Sequence, residues 1–252
     1  MKTVSAASSA SSEPAASSGK YKIFGPALLR TFRCLWILEE LGADYEHLAV
    51  LPHSEELKKA TGLRRVPVLI TPDGFTLCES SAINTYLCDT FCNEHPTLVP
   101  RAGSHERARY DQTISVLTSD LDAQGICVQL KYEHMGEIYG YIPEAVKQAR
   151  KHFNKTNRSL IKQLQQEGPY LMGKHFTPAD PIYVHLLQAS QVMGWDDKWK
   201  DVECMRNYMA LCTQRPAYKK VHAVRVKEME GASRYGTRQN VRSAKTKQRS
   251  KL

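Results

Sequence analysis

Apolar positions change their rhythm twice along this chain of 252 residues. Residues 1–20 are rich in Ser and Ala and hold almost no large apolar side chain, so they cannot supply a core and read as disordered. From residue 21 the apolar runs become short and alternate in period. Tyr21-Lys22-Ile23-Phe24 reads as a strand, broken by Gly25-Pro26. Residues 31–41, with Cys34, Leu35, Trp36, Ile37, Leu38 and Leu41, predict a helix that Gly42 closes. Residues 46–51 predict a second strand, and Ser54 caps a short helix over 55–60. Residues 68–70, the turn Pro72-Asp73-Gly74 and residues 75–77 predict a hairpin. A helical run through Ala82, Ile83, Tyr86 and Leu87 follows. After a Pro- and Gly-containing linker over 96–104 the period is helical throughout, predicting helices over 106–132, 144–167, 179–192 and 202–212.

The order βαβ-α-ββ-α over residues 21–97 is that of a thioredoxin-like α/β domain, and residues 98–222 predict an all-α domain behind it. Thr177-Pro178-Ala179-Asp180 predicts a capped start for one of its helices, with Pro178 at the first helical position and Asp180 reaching back. Hydrophobic content of 42% suits a soluble globular chain. No apolar run approaches the roughly 20 residues that a membrane helix needs, and the N-terminus lacks the apolar core of a secretory signal.

The net charge of +9 sits mostly at one end. Residues 223–252 hold nine Lys or Arg and two Glu, so the folded body from 21 to 222 is nearly neutral. The basic stretch reads as a disordered tail, and nucleic acid is a partner only through it. Seven scattered cysteines, odd in number and without a CxxC pair, fit a reducing compartment. Cys88, Cys92 and His95 lack the paired spacing of a zinc site and read as a helix face, so no metal is expected.

Candidate chemistry lies at Arg65-Val66-Pro67 and Cys78-Glu79-Ser80. A proline opening an apolar strand belongs at a strand start or edge, and a cis Val66-Pro67 bond would turn the preceding backbone toward a groove. Ser80 reads as the N-cap of the following helix, whose first amides and dipole attract an anion. An exposed backbone edge beside an anion site suits a short acidic peptide.

These residues resemble the glutathione site of the cytosolic glutathione S-transferase family, and the resemblance runs from about Tyr21 to His222. It implies that glutathione is the co-substrate. Glu79 would meet its amine, Ser80 its γ-glutamyl carboxylate, the Val66 backbone before Pro67 its cysteinyl unit, and Arg65 would stand near its glycyl carboxylate. It also implies a homodimer and a small hydrophobic electrophile as second substrate, with conjugation or peroxide reduction as the reaction. Tyr110, Val116, Leu117, Tyr132 and Trp195 are expected around the second substrate. The chain departs from the family at the catalytic hydroxyl. The usual Ser or Cys position falls on Leu28 and the usual Tyr position on Phe24, and neither can donate. A free thiol is mostly protonated at neutral pH, so a donor to the sulfur is worth about 1–3 kcal/mol. Thr31 is the nearest hydroxyl and the expected catalytic donor, while Cys34 reads as core. The lost hydroxyl positions and the basic tail leave a second reading open, an interaction module of the same fold. A cysteine-based thiol oxidoreductase is disfavoured by Leu28. The final Ser250-Lys251-Leu252 resembles a peroxisomal import signal and predicts a peroxisome or related microbody, with the cytoplasm as alternative.

Overall fold

The computed structural model describes residues 19–234, and the side chains of 232–234 are outside that description. The Ser/Ala-rich segment up to residue 18 and the final Ser250-Lys251-Leu252 lie outside the described residues.

Strand β1 (Tyr21–Phe24) pairs in parallel with β2 (Tyr45–Leu48) and antiparallel with β3 (Val68–Ile70), which pairs antiparallel with β4 (Thr76–Cys78). The sheet order is β2-β1-β3-β4. Between β1 and β2 runs α1 (Thr31–Glu40); α2 (Glu55–Thr61) precedes β3, and α3 (Ser80–Thr90) follows β4. Ser54 caps α2 by accepting from the Leu57 amide at 3.1 Å, as its position suggests.

The second domain is helical: α4 (His105–Ser115), α5 (Cys127–Gln129), α6 (Gly136–Tyr139), α7 (Pro143–Glu167), α8 (Ala179–Val192), α9 (Glu203–Thr213) and α10 (Pro216–Arg234). The single helix expected over 106–132 is one continuous helical run whose pitch widens to π over Val116–Ile126 and again over Leu130–His134. Periodicity could not show this, because the apolar count per turn changes little. At the start of α8 the Asp180 carboxylate accepts from the Thr177 amide at 2.8 Å, the reach-back that the sequence predicts. It also accepts from the Leu171 amide and the Tyr208 hydroxyl, each at 3.0 Å.

Helix α1 explains why the two domains form one body. Every residue from Thr31 to Leu38 is buried, so the helix has no solvent face over that stretch. It packs on α3 and also on α8 and α10 of the helical domain. Phe32 and Trp36 meet Tyr218 edge to face, with ring centroids 5.8 and 4.9 Å apart. Arg215 closes the seam with two 2.6 Å hydrogen bonds to Glu40. One cluster of buried side chains therefore runs from Ile23 to Val221 through both domains.

Residues 223–234, expected within a disordered tail, are helical, and the rest of the expected tail lies outside the described residues. Helix α10 continues to Arg234 because Val221 and Val224 pack on the core, while Arg225 lies 5.2 Å above the Phe32 ring and donates to Gln188 at 2.8 Å. The basic residues of this part ride on a helix whose other face is apolar. No described helix is long and apolar enough to cross a membrane.

Candidate functional site

A cleft of about 830 Å³ opens where α1, the β3 entrance, the start of α3 and the π-pitched helix converge. Arg65, Val66, Pro67, Glu79 and Ser80 all line it, so the sequence-predicted binding residues come together. The Val66-Pro67 bond is cis. Among the described residues, the Val66 N–H and C=O have no hydrogen-bond partner, which leaves a backbone edge facing the cleft. Arg65 is exposed at the rim and forms no ion pair with a described residue, whereas Arg64 beside it is tied to Glu55 at 2.8 Å.

Ser80 departs from its expected role. The N-cap of α3 is Glu79, whose side chain makes no capping bond, and Ser80 is the first helical residue. The buried Ser80 hydroxyl instead accepts from Arg33 Nη1 at 3.4 Å. That bond uses an acceptor site of the hydroxyl and leaves its proton unspent. The first intrahelical bond of α3 runs from the Ile83 amide to Glu79, so the amides before it remain open for an anion.

Backbone strain concentrates here. Among the described residues the only non-glycines with positive φ are His53 at 64° and Glu79 at 69°, and both line the cleft. Such conformations cost about 1–3 kcal/mol and persist where function needs them.

A buried charge network forms the wall opposite. Asp122 receives Arg30 Nε at 2.9 Å, Arg30 Nη2 at 2.5 Å and Arg33 Nη2 at 2.7 Å. Arg33 Nε donates to His185 Nδ1 at 3.0 Å, and Arg30 Nη2 also reaches Cys127 Sγ at 2.7 Å. Burial works against the Asp122 carboxylate, yet the two guanidiniums outweigh it and hold its pKa well below the usual range. Burial likewise opposes the Arg30 charge, and Asp122 overrides it, so Arg30 lies above the ordinary arginine value. Arg33, fully enclosed and beside a second cation, is lowered. The Cys127 thiol is pushed up by burial and by Asp122, against the pull of Arg30. His185 is held far below its ordinary value by burial and by the neighbouring Arg33 and Arg225, and is therefore neutral.

The expected catalytic hydroxyl is not in the cleft. Thr31 is completely buried and its Oγ1 has no hydrogen-bond partner. It faces Gly25, whose φ of 124° allows the close approach; a Cβ there would meet Thr31 Oγ1 and stand 2.7 Å from Val66 Cβ. Leu28 is half-buried and Phe24 is buried, and neither lines the cleft. The residues expected around a second substrate are elsewhere too. Tyr110, Leu117 and Trp195 are in the core, Val116 lines a separate cleft, and Tyr132 carries Lys131 5.1 Å above its ring. The wall actually present is Arg30, Thr118, Ala123 and Cys127. Among the described residues no group of His, Cys, Asp and Glu is placed to hold a metal ion.

Residues 30–90 match the glutathione S-transferase N-terminal domain family. Over those residues the chain carries a glutathione S-transferase N-terminal domain. Its transferase fold is shared along almost the whole length of solved relatives. The glutathione transferase Ure2p8 of Phanerochaete chrysosporium, solved with oxidised glutathione, superposes with a TM-score of 0.72 at 21% identity, over 86% of this chain and 99% of that one. Ure2p5 of the same fungus, cocrystallised with 1-(S-glutathionyl)-2,4-dinitrobenzene, gives 0.70 at 17% identity, over 84% and 97%. A glutathione transferase of Methylococcus capsulatus gives 0.67 at 19% identity, over 81% and 98%. No curated protein sequence matches the chain. The shared fold accounts for the four-stranded sheet and the helical second domain.

Proposed function

We propose that this chain binds glutathione in the cleft and directs its thiolate onto a small electrophile. The observation that carries the reading is the meeting of three features in one cleft: the unpaired Val66 backbone, the open start of α3 with the Ser80 hydroxyl accepting from Arg33, and Glu79 beside it at a strained backbone position. Glutathione presents a matching series of groups. Its γ-glutamyl carboxylate meets Ser80 and the α3 amides, its ammonium meets Glu79, its cysteinyl backbone pairs with Val66, and its glycyl carboxylate meets Arg65. In the reaction the thiol first loses its proton to water. The sulfur lone pair then forms the carbon–sulfur bond, and the leaving group departs with its bonding electrons. Thr118, Ala123 and Cys127 give the second-substrate side a small, partly polar wall, which favours a compact electrophile carrying a polar group. The likeness to relatives solved with glutathione species supports the same reading.

One observation favours the alternative of a docking module: Leu28, Phe24 and Thr31 present no hydroxyl to the cleft. Calorimetric titration with glutathione separates the two. Saturable binding that weakens about 10-fold in Ser80→Ala is expected, because a hydrogen bond to a charged group is lost. No heat at millimolar glutathione would end the transferase reading. The Ser250-Lys251-Leu252 terminus fits a microbody address on this enzyme. A chain lacking those three residues should then spread through the cytoplasm, and an unchanged distribution would dispose of the address.

A further inference from the structure

The cleft supplies a different group for the sulfur. Helix α1 starts against the Val66 edge, since only the bare Gly25 separates Thr31 from Val66. A peptide paired to Val66 with its carboxylate at Ser80 therefore sends its cysteinyl side chain toward the first turn of α1. Three of the backbone donors there are spent: Leu29, Phe32 and Arg33 amides already bond to Pro26, Leu29 and Arg30 carbonyls. The side-chain donor of this turn that lines the cleft is Arg30, at the N-cap, with 39% of its side-chain surface exposed. Nε and Nη2 are fixed on Asp122, and Nη1 has no partner among the described residues. The fork is thus immobilised along one edge and open along the other, the arrangement that makes a donor effective before substrate arrives.

Resting on the glutathione reading above, we infer that Arg30 is the catalytic group, its guanidinium donating to the glutathione sulfur and stabilising the thiolate in place of a hydroxyl. Asp122 is the positioning residue. It holds Arg30 toward the sulfur and, through Arg33, holds Ser80 at the other end of the peptide. No bond to Arg30 changes: the thiol proton goes to water, and the guanidinium stays charged throughout because its pKa lies above the ordinary value.

The test uses the full chain with Arg30→Leu, Arg30→Lys and Asp122→Asn. Two readouts are followed against pH: the ultraviolet absorbance of the bound thiolate, and kcat/KM with a chlorodinitrobenzene electrophile. Affinity for S-methylglutathione, which has no thiol to ionise, is measured beside them. At neutral pH, Arg30→Leu is expected to lower the thiolate fraction and kcat/KM about 10- to 100-fold, the loss shrinking as pH passes the free-thiol value. Arg30→Lys retains part of the effect, Asp122→Asn falls between, and S-methylglutathione binds Arg30→Leu as it binds the parent. Superimposable pH profiles for parent and Arg30→Leu would overturn the inference while leaving the glutathione site standing. Failure of the parent itself to bind S-methylglutathione would overturn both. Should Arg30→Leu not fold, an Arg30→Lys profile identical to the parent's and an unshifted Asp122→Asn profile would together refute the role.

Discussion

Replacing Asp122 by Asn should destabilise the protein far more than an ordinary charge removal. The carboxylate and the Arg33 guanidinium are 6% and 2% exposed, and they meet at 2.7 Å. Asn keeps one acceptor but leaves the Arg33 charge uncompensated inside the seam between domains, and breaking such a buried pair costs about 3–5 kcal/mol. The Arg30 contact adds little, because that side chain is 39% exposed and solvent screens it. Since Asn occupies the same space, the lower end, about 3 kcal/mol, is the expectation, equivalent to a fall of about 6–12 °C in Tm for a body of this size. The pH dependence has a definite sign. The folded-state pKa of Asp122 is depressed, so its contribution is present above the ordinary carboxylate value near 4 and fades as pH falls through the folded value. Parent and Asp122→Asn should therefore converge in acid. Urea unfolding followed by tryptophan fluorescence and circular dichroism measures the loss. The double variant Arg33→Met/Asp122→Leu is the control, since removing both charges spares the uncompensated one and should be markedly milder than the sum of its singles. A loss below about 1 kcal/mol in Asp122→Asn, or simple additivity in the double variant, would refute the buried-pair argument.

Three further outcomes follow from particular side chains. Thr31→Val should leave glutathione turnover unchanged and stability equal or up to about 1 kcal/mol higher, since it removes a buried unpartnered hydroxyl; a drop in turnover would restore Thr31 as the donor. Glu79→Gly should raise stability by about 1 kcal/mol in chemical denaturation by relieving a positive φ, while weakening glutathione binding; a variant that gains nothing would show the backbone to be unstrained. Of the cysteines, exposed Cys78 and Cys92 should alkylate first, and glutathione should shield Cys78 alone, because only Cys78 of the two lines the cleft; equal shielding would displace the site.

That Arg65, Val66, Pro67, Glu79 and Ser80 share one cleft was legible because the pattern is local. Val66-Pro67 and Glu79-Ser80 each act through backbone that neighbouring residues dictate. The buried charge network was not, because Asp122 meets Arg30 and Arg33 across 92 and 89 positions of chain. A signal was nevertheless present. Phe32 to Leu38 is apolar around the whole helix except at Arg33, and a helix without a polar face buries its lone cation, which must then find a carboxylate. Helix α10, absent from the predicted helices, was missed for a related reason. The basic count of the last thirty residues masked Val224, which continues the helical spacing from Val221. Thr31 was misplaced because position at a helix start says nothing of which way the first side chain turns.

Helix α1 belongs to neither half of the molecule alone. Its sequence lies in the first domain, yet Phe32, Arg33 and Trp36 are enclosed by side chains of α8, α10 and the loop before α8. A cut in the linker over 96–104 would sever the chain without parting the halves, for the same reason that a nicked mortise joint still holds. Grafting either domain onto a distant relative would strand an arginine in one half and a carboxylate in the other. Recombination can therefore exchange these domains only as a matched pair, with the seam as the unit of inheritance.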